Sequence, residues 1–195
     1  MAEDVPFSPR SALVIIDMTV EQVETVSFRK AETIDAIRTL LERRCFELVV
    51  DSRLWINDAK ETSLWSVFPG VGRADAPGSA LIPELEAAWA ALSGDKCFEP
   101  KFNYSAFYDA RLDARLRASD IQRVYLVGIN TDYCVFATAL DAFYRGYEVR
   151  IVRDAVTTFN GEVLHEEGLD MAARHFGKAA LVSTADVLAS GMTRQ

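Results

Sequence analysis

Three residue types with complementary chemistry stand where predicted strands end. Cys134 closes the run Gly128-Ile-Asn-Thr-Asp-Tyr-Cys134, where an apolar strand gives way to a helix. If Thr131 is the N-cap, Cys134 falls at N3, where unpaired N–H groups and the helix dipole favour a thiolate over a thiol. The same amides can face an oxygen that gains negative charge during attack, as an oxyanion hole requires. A cysteine nucleophile also needs a proton acceptor. His165 and His175 lie ten positions apart on one predicted helix and on different faces, so they form no i, i+4 metal pair and read as structural or solvated. A carboxylate is therefore sought, and Asp17 ends Leu13-Val-Ile-Ile-Asp17 while Asp51 ends Leu48-Val-Val-Asp51. Lys101 lies just past the third strand. Singly, each has an ordinary explanation: aspartate caps turns, lysine is solvated, and unpaired cysteine is a small buried apolar residue. Gathered on one rim, they point to attack of a thiol on a carbonyl.

The rim follows from the elements. Short β-branched runs at 12–17, 46–51, 96–99, 123–128, 148–153 and 179–182 alternate with helical patterns at about 31–44, 83–92, 109–118, 132–145, 162–176 and from 186. Near-continuous apolar strands such as 124–128 are expected when helices cover both faces of a parallel sheet. The fold class is α/β, a three-layer α/β/α arrangement with a six-stranded parallel sheet in the Rossmann-like order 3-2-1-4-5-6, and ligands in such sheets bind beyond the carboxyl ends of the strands. That order sets Asp17 beside the strand leading to Cys134. Lys101 starts two strands away, so its loop must fold back over the rim. The irregular stretch 52–77 is long enough to be a lid or an interface.

The chain has 195 residues, 50% hydrophobic and 26% charged, which suits one globular domain over 1–195 and argues against disorder. A net charge of -8 without a basic cluster excludes a phosphate-backbone footprint, so no nucleic-acid partner is expected. The apolar runs are too short for a membrane span, and the opening Met1-Ala-Glu-Asp-Val-Pro lacks secretory character, so no membrane partner and a cytoplasmic location are expected. Cys45, Cys97 and Cys134 are too few and scattered for a disulfide framework; Cys45 and Cys97 sit in apolar patterns and read as core.

Ile16-Asp17, Lys101-Phe-Asn-Tyr-Ser-Ala-Phe107, Gly128-Ile-Asn-Thr-Asp-Tyr-Cys-Val135, Thr138-Ala139, Asp141-Ala142 and Arg145-Gly-Tyr-Glu-Val149 together resemble the isochorismatase-like cysteine hydrolases. That family includes nicotinamidases, N-carbamoylsarcosine amidohydrolases and ureidoacrylate amidohydrolases. The resemblance implies a catalytic triad of Asp17, Lys101 and Cys134. It further implies a cis peptide between Ile129 and Asn130, with the backbone amides of Asn130 and Cys134 facing the substrate carbonyl oxygen. Family members commonly form dimers or tetramers, so a homodimer or homotetramer is expected.

The chain also departs from the family. Metal-dependent nicotinamidases carry Asp-x-His after the second strand and a further histidine downstream; here the segments read Asp51-Ser-Arg53 and Trp65-Ser-Val-Phe-Pro-Gly-Val-Gly72. No metal or other cofactor is therefore expected. Arg53 either binds a substrate carboxylate or pairs with Asp51. The family's Asp-x-Gln-x-x-Phe start reads Asp17-Met-Thr-Val-Glu-Gln22, which alters the pocket wall. Trp55, Trp65, Tyr104, Tyr108, Tyr133 and Phe136 are candidates to line that wall, with Tyr104 and Tyr133 foremost because they flank catalytic positions. The reading is a metal-independent cysteine hydrolase cleaving the C–N bond of a small amide, carbamoyl or ureido substrate through a thioester. The alternatives are an isochorismatase-type vinyl-ether hydrolase and a non-catalytic α/β/α binding protein.

Overall fold

Every residue of strand β1 (Ser11–Ile16) is buried, with no alternation between faces. That is the signature of a central parallel strand covered by helices on both sides. The computed structural model describes residues 9–191. In it β1 lies between β2 (Leu48–Leu54) and β4 (Arg123–Ile129), and the six-stranded sheet has the order β3-β2-β1-β4-β5-β6, with β3 at Asp95–Lys101, β5 at Glu148–Thr157 and β6 at Leu181–Val182. All five strand pairs are parallel. The expected α/β/α architecture and strand order are the ones observed.

Side-chain alternation along the strands builds two cores. Leu13, Ile15 and Val49 face Ile37, Leu40 and Leu41 of α2 (Lys30–Arg43), Leu85 of α3 (Pro83–Ala90) and Val187 of α7 (Thr184–Gly191). Val14, Ile16 and Val50 face Leu112 and Leu116 of α4 (Arg111–Ala118), Ala139 and Ala142 of α5 (Phe136–Tyr144), and Leu169 and Ala172 of α6 (Glu162–Phe176). The helical spacing of those residues gives each helix one apolar stripe, which the sheet buries. Among the described residues, no helix is long and apolar enough to cross a membrane.

Several boundaries differ from the pattern-based ones. Strands β2, β3 and β5 run on to Leu54, Lys101 and Thr157, because parallel pairing continues past the apolar runs that marked them in the sequence. A short helix, α1 (Val20–Glu24), follows β1; Thr19 caps it by accepting from the Gln22 amide. The stretch 52–77 is not shapeless: it holds two 3-10 turns, Ala59–Glu61 and Ser63–Ser66, and a small core of Leu54, Ile56 and Leu64. At the sheet's carboxyl end, Thr131–Val135 winds as a single π turn closed by the Val135 amide donating to Asn130 O at 3.0 Å. The extended N-cap residue is Asn130 and not Thr131, which moves Cys134 one position deeper than its expected N3 place.

β4 reaches this turn by passing very close to β1. Gly128 has φ +107°, and a Cβ there would lie 2.1 Å from Ile16 O. Gly128→Ala combines a forbidden dihedral with a backbone clash. It is expected to lower unfolding free energy by about 3–5 kcal/mol, read by urea denaturation; a loss within error of wild type would show that the two strands can separate freely here.

Candidate active site

The first group of the site is set by a backbone reversal. Asp17 leaves β1 in the left-handed region, φ 53°, with its N–H donating to Ser52 O at 3.0 Å. Its side chain then folds across the end of β2, where Oδ1 accepts from the Leu54 amide at 3.0 Å. Lys101 is the last residue of β3, paired in register with Leu54, and its long side chain spans the end of β2. There Lys101 Nζ sits 2.7 Å from Asp17 Oδ2, 3.5 Å from Cys134 Sγ and 2.9 Å from Asn103 O. Three protons thus meet three acceptors. The fold-back expected of a loop is performed by the lysine side chain itself.

All three groups are buried, with relative exposures of 0% for Asp17, 1% for Lys101 and 4% for Cys134. Burial disfavours the charged lysine, but Asp17 and Cys134 beside it offset that cost and hold its pKa above the ordinary value. The thiol responds in the opposite way. Burial pushes Cys134 up to about 12, against the pull of Lys101 and with Asp17, a neighbouring carboxylate and hydrogen-bond acceptor, adding to the rise. The expectation that the helix start favours the thiolate runs against this direction: burial and the adjacent Asp17 raise the thiol, and Lys101 opposes them.

The turn bearing Cys134 is clamped from outside. Thr131 Oγ1 lies 2.9 Å from Nδ1 of buried His165, and Gly168 packs so tightly that a Cβ would sit 3.2 Å from Asp132 Cα. Asn130 Oδ1 accepts from the Phe159 amide at 3.1 Å, and the Ile129–Asn130 peptide is cis. His165 is thus a packing residue, while exposed His175 bonds Met171 O.

Cys134 opens onto a cavity of about 270 Å³, lined also by Asn130, Tyr104, Tyr133, Phe159, Glu21, Gln22, Thr25, Leu54, Leu64, Phe68 and Val71. The walls are mainly apolar. Rings Tyr104 and Tyr133 lie 5.7 Å apart, and Tyr133 and Phe159 6.0 Å apart, forming one aromatic wall. Of the expected binding residues, Tyr104 and Tyr133 are here; Arg53 and Trp55 are not. Side chains alternate along β2, so Leu54 faces the cavity while Arg53 turns to the opposite face. Arg53 donates to Ser79 O at 2.7 Å, pairs with Asp51 Oδ2 at 3.0 Å, and stacks 4.7 Å over Phe98. Trp55 shares with it a separate depression bounded by Glu86 and Trp89.

Glu21, Leu64, Phe68, Val71 and Phe159 were not singled out as pocket residues from the sequence. Phe159 lies just beyond the carboxyl end of β5, so the rim rule could have found it. Leu64, Phe68 and Val71 belong to the stretch 52–77, whose path has no periodic signal. Asp51 stands where the family resemblance directs attention for a metal ligand, and the surroundings do not fit a divalent ion. Its Oδ2 is taken by a guanidinium, and among the described residues no three His, Cys, Asp or Glu side chains are gathered to hold a metal.

Fold and site together define an α/β/α protein with a thiol, a carboxylate and an ammonium in one buried contact. The isochorismatase domain pattern matches residues 11–186, and the chain belongs to that family. It is similar to nicotinamidase 3 of Arabidopsis thaliana, 36% identical over 104 residues that cover 53% of this chain and 50% of that protein. It spans about half or less of the length of the curated relatives it matches. Among solved structures it resembles a cysteine hydrolase of Pseudomonas syringae pv. phaseolicola, with TM-score 0.79 and 22% identity over 96% of this chain and 95% of the other. It also resembles N-carbamoylsarcosine amidase of Thermoplasma acidophilum, with TM-score 0.72 and 26% identity over 90% and 96%.

Burial raises Asp51 to about 6, partly relieved by Arg53. The folded chain then keeps a proton that the unfolded chain releases, so this group's contribution to stability falls as pH rises from about 4 to 6. Asp51→Asn removes that slope. Between pH 4 and pH 7 the variant is expected to gain on wild type by on the order of 2–3 kcal/mol in urea unfolding; parallel pH profiles would contradict the assignment.

Proposed function

We propose that this protein is a metal-independent cysteine hydrolase that cleaves the C–N bond of a small amide, carbamoyl or ureido compound through a thioester. The observation that carries the reading is one buried ammonium, Lys101 Nζ, within 2.7 Å of a carboxylate oxygen and 3.5 Å of a sulfur that borders a cavity. Nicotinamidase and N-carbamoylsarcosine amidase among the similar proteins support amide or carbamoyl chemistry.

In this reading the resting thiol is unreactive until substrate arrives. Asp17 takes the thiol proton as Sγ bonds to the carbonyl carbon, and the carbonyl electron pair moves to oxygen. The backbone amides of Asn130 and Cys134 are assigned to that oxygen. Collapse re-forms the carbonyl and breaks the C–N bond, and Asp17 returns its proton to the departing nitrogen. Asp17 then deprotonates water, which attacks the thioester; the acid leaves and the proton returns to sulfur. Lys101 stays charged throughout and offsets the transient thiolate. Because the base is a neighbour and not the solvent, a thiol held up at about 12 is compatible with turnover near neutrality.

Cys134→Ser and Asp17→Asn are each expected to reduce kcat at least about a thousandfold on small amides or ureides. Wild type quenched in acid during turnover should carry the acyl mass on Cys134. Near-normal rates in either variant, or turnover with no covalent species under conditions that stabilise thioesters, would refute the mechanism.

A further inference from the structure

The cavity holds one formal charge that no step of the proposed reaction uses. Glu21 projects from α1 into the wall, where its Oε1 accepts from the Gly72 amide at 2.6 Å. Gly72 is itself held, because its carbonyl accepts from the Ile56 amide at 2.8 Å and it packs so closely on Leu54 that a Cβ would lie 2.2 Å from Leu54 Cβ. The carboxylate is therefore tethered in the wall. Across the same cavity run the faces and edges of Tyr104, Tyr133 and Phe159. Aromatic rings with a fixed carboxylate suit an ammonium or an uncharged group and repel an anion.

Among the described residues, no lysine or arginine side chain lines the wall to balance Glu21. Lys101 lies beneath the cavity with its protons committed to Asp17, Cys134 and Asn103. Arg53, from the strand that places Leu54 in the wall, is turned to the opposite face and held by Asp51 and Ser79. A carboxylate on the substrate would enter a mainly apolar cavity and meet a fixed negative charge, with neutral donors such as the unpartnered Gln22 Nε2 but no cation of the lining to offset it.

We infer that Glu21 is a specificity-determining residue that selects the substrate by charge: the enzyme takes amides whose body is apolar and neutral or cationic, and rejects those bearing a carboxylate. This rests on the amidohydrolase reading and narrows it. At about 270 Å³ the cavity lies below the range typical of drug-sized ligands, which limits the body to about a single ring or short branched chain.

The test uses three para-substituted benzamides of nearly equal size, carrying methyl, aminomethyl or carboxylate, with isovaleramide and succinamate as an aliphatic pair. Wild type is expected to show kcat/KM at least about a hundredfold higher for the aminomethyl than for the carboxylate compound, with methyl between. Glu21→Gln keeps an acceptor for the Gly72 amide and removes the charge, so that ratio should shrink about tenfold. The wild-type comparison stands even if the variant folds poorly. Equal or faster turnover of the carboxylate compounds would overturn the inference while leaving the amidohydrolase reading intact. An unchanged ratio in folded Glu21→Gln would overturn the role of Glu21. If no amide is hydrolysed and no acyl mass appears on Cys134, the underlying reading fails and this one with it.

Discussion

An ammonium with no access to water must be surrounded by acceptors, and the upper end of this sheet is organised around that requirement. Lys101 Nζ has a carboxylate, a sulfur and a backbone carbonyl within reach, and its side chain is fully buried. Isolating such a charge costs several kcal/mol, and removing one partner of a buried pair costs about 3–5. The three acceptors come from separate parts of the chain: the end of β1, the turn after β4 and the loop after β3. Their meeting depends on the strand order, because only with β2 and β1 between β3 and β4 does one lysine side chain arch over the shorter strand ends to both. The ion pair and the sheet topology are thus one constraint seen at two scales.

The same burial determines how the sulfur behaves. A helix dipole, fading within its first turn, is a modest influence, and here the first turn is a wide π turn whose Asn130 carbonyl accepts from both Tyr133 and Val135. Burial first, and the adjacent Asp17 with it, push the thiol upward against the pull of Lys101. In the proposed reaction such a nucleophile is activated by passing its proton to the neighbouring Asp17.

What was legible in the sequence follows from where local signals end. The apolar runs before Asp17 and Asn130 are continuous, so the strands, their parallel pairing and the two rim residues could be read directly. Lys101 could be put on the rim just past the third strand, but its reach could not be read, because nothing local announces that a side chain two strands away will span the gap. The assignment of Arg53 and Trp55 to the pocket failed for a specific reason. Ending β2 at Asp51 made the next residues look like free rim positions, whereas three further residues pair with β3 and obey the two-residue alternation. Leu54 consequently faces the thiol and Arg53 faces away. The π turn was equally hidden: Thr131 is a good capping residue by type, but its hydroxyl is spent on His165.

The departures from the family pattern form a connected set. Without histidines at 53 and beyond, Asp51 has a buried charge to satisfy, and the guanidinium of Arg53 does so from the same strand face while stacking on Phe98. That commitment removes the one basic side chain that could have entered the cavity from β2. Gln22 replaces an aromatic residue in the wall, and Glu21 beside it anchors Gly72, so α1 and the stretch 52–77 are joined where substrate must pass. The loop that lacked any periodic signal is therefore held at both ends of its functional span, by Leu54 in the sheet and by Gly72 on α1. Its own core of Leu54, Ile56 and Leu64 keeps the intervening residues packed. The pairing of Arg53 with Asp51 and the tether from Glu21 to Gly72 together set the charge around the thiol, carboxylate and ammonium of this chain.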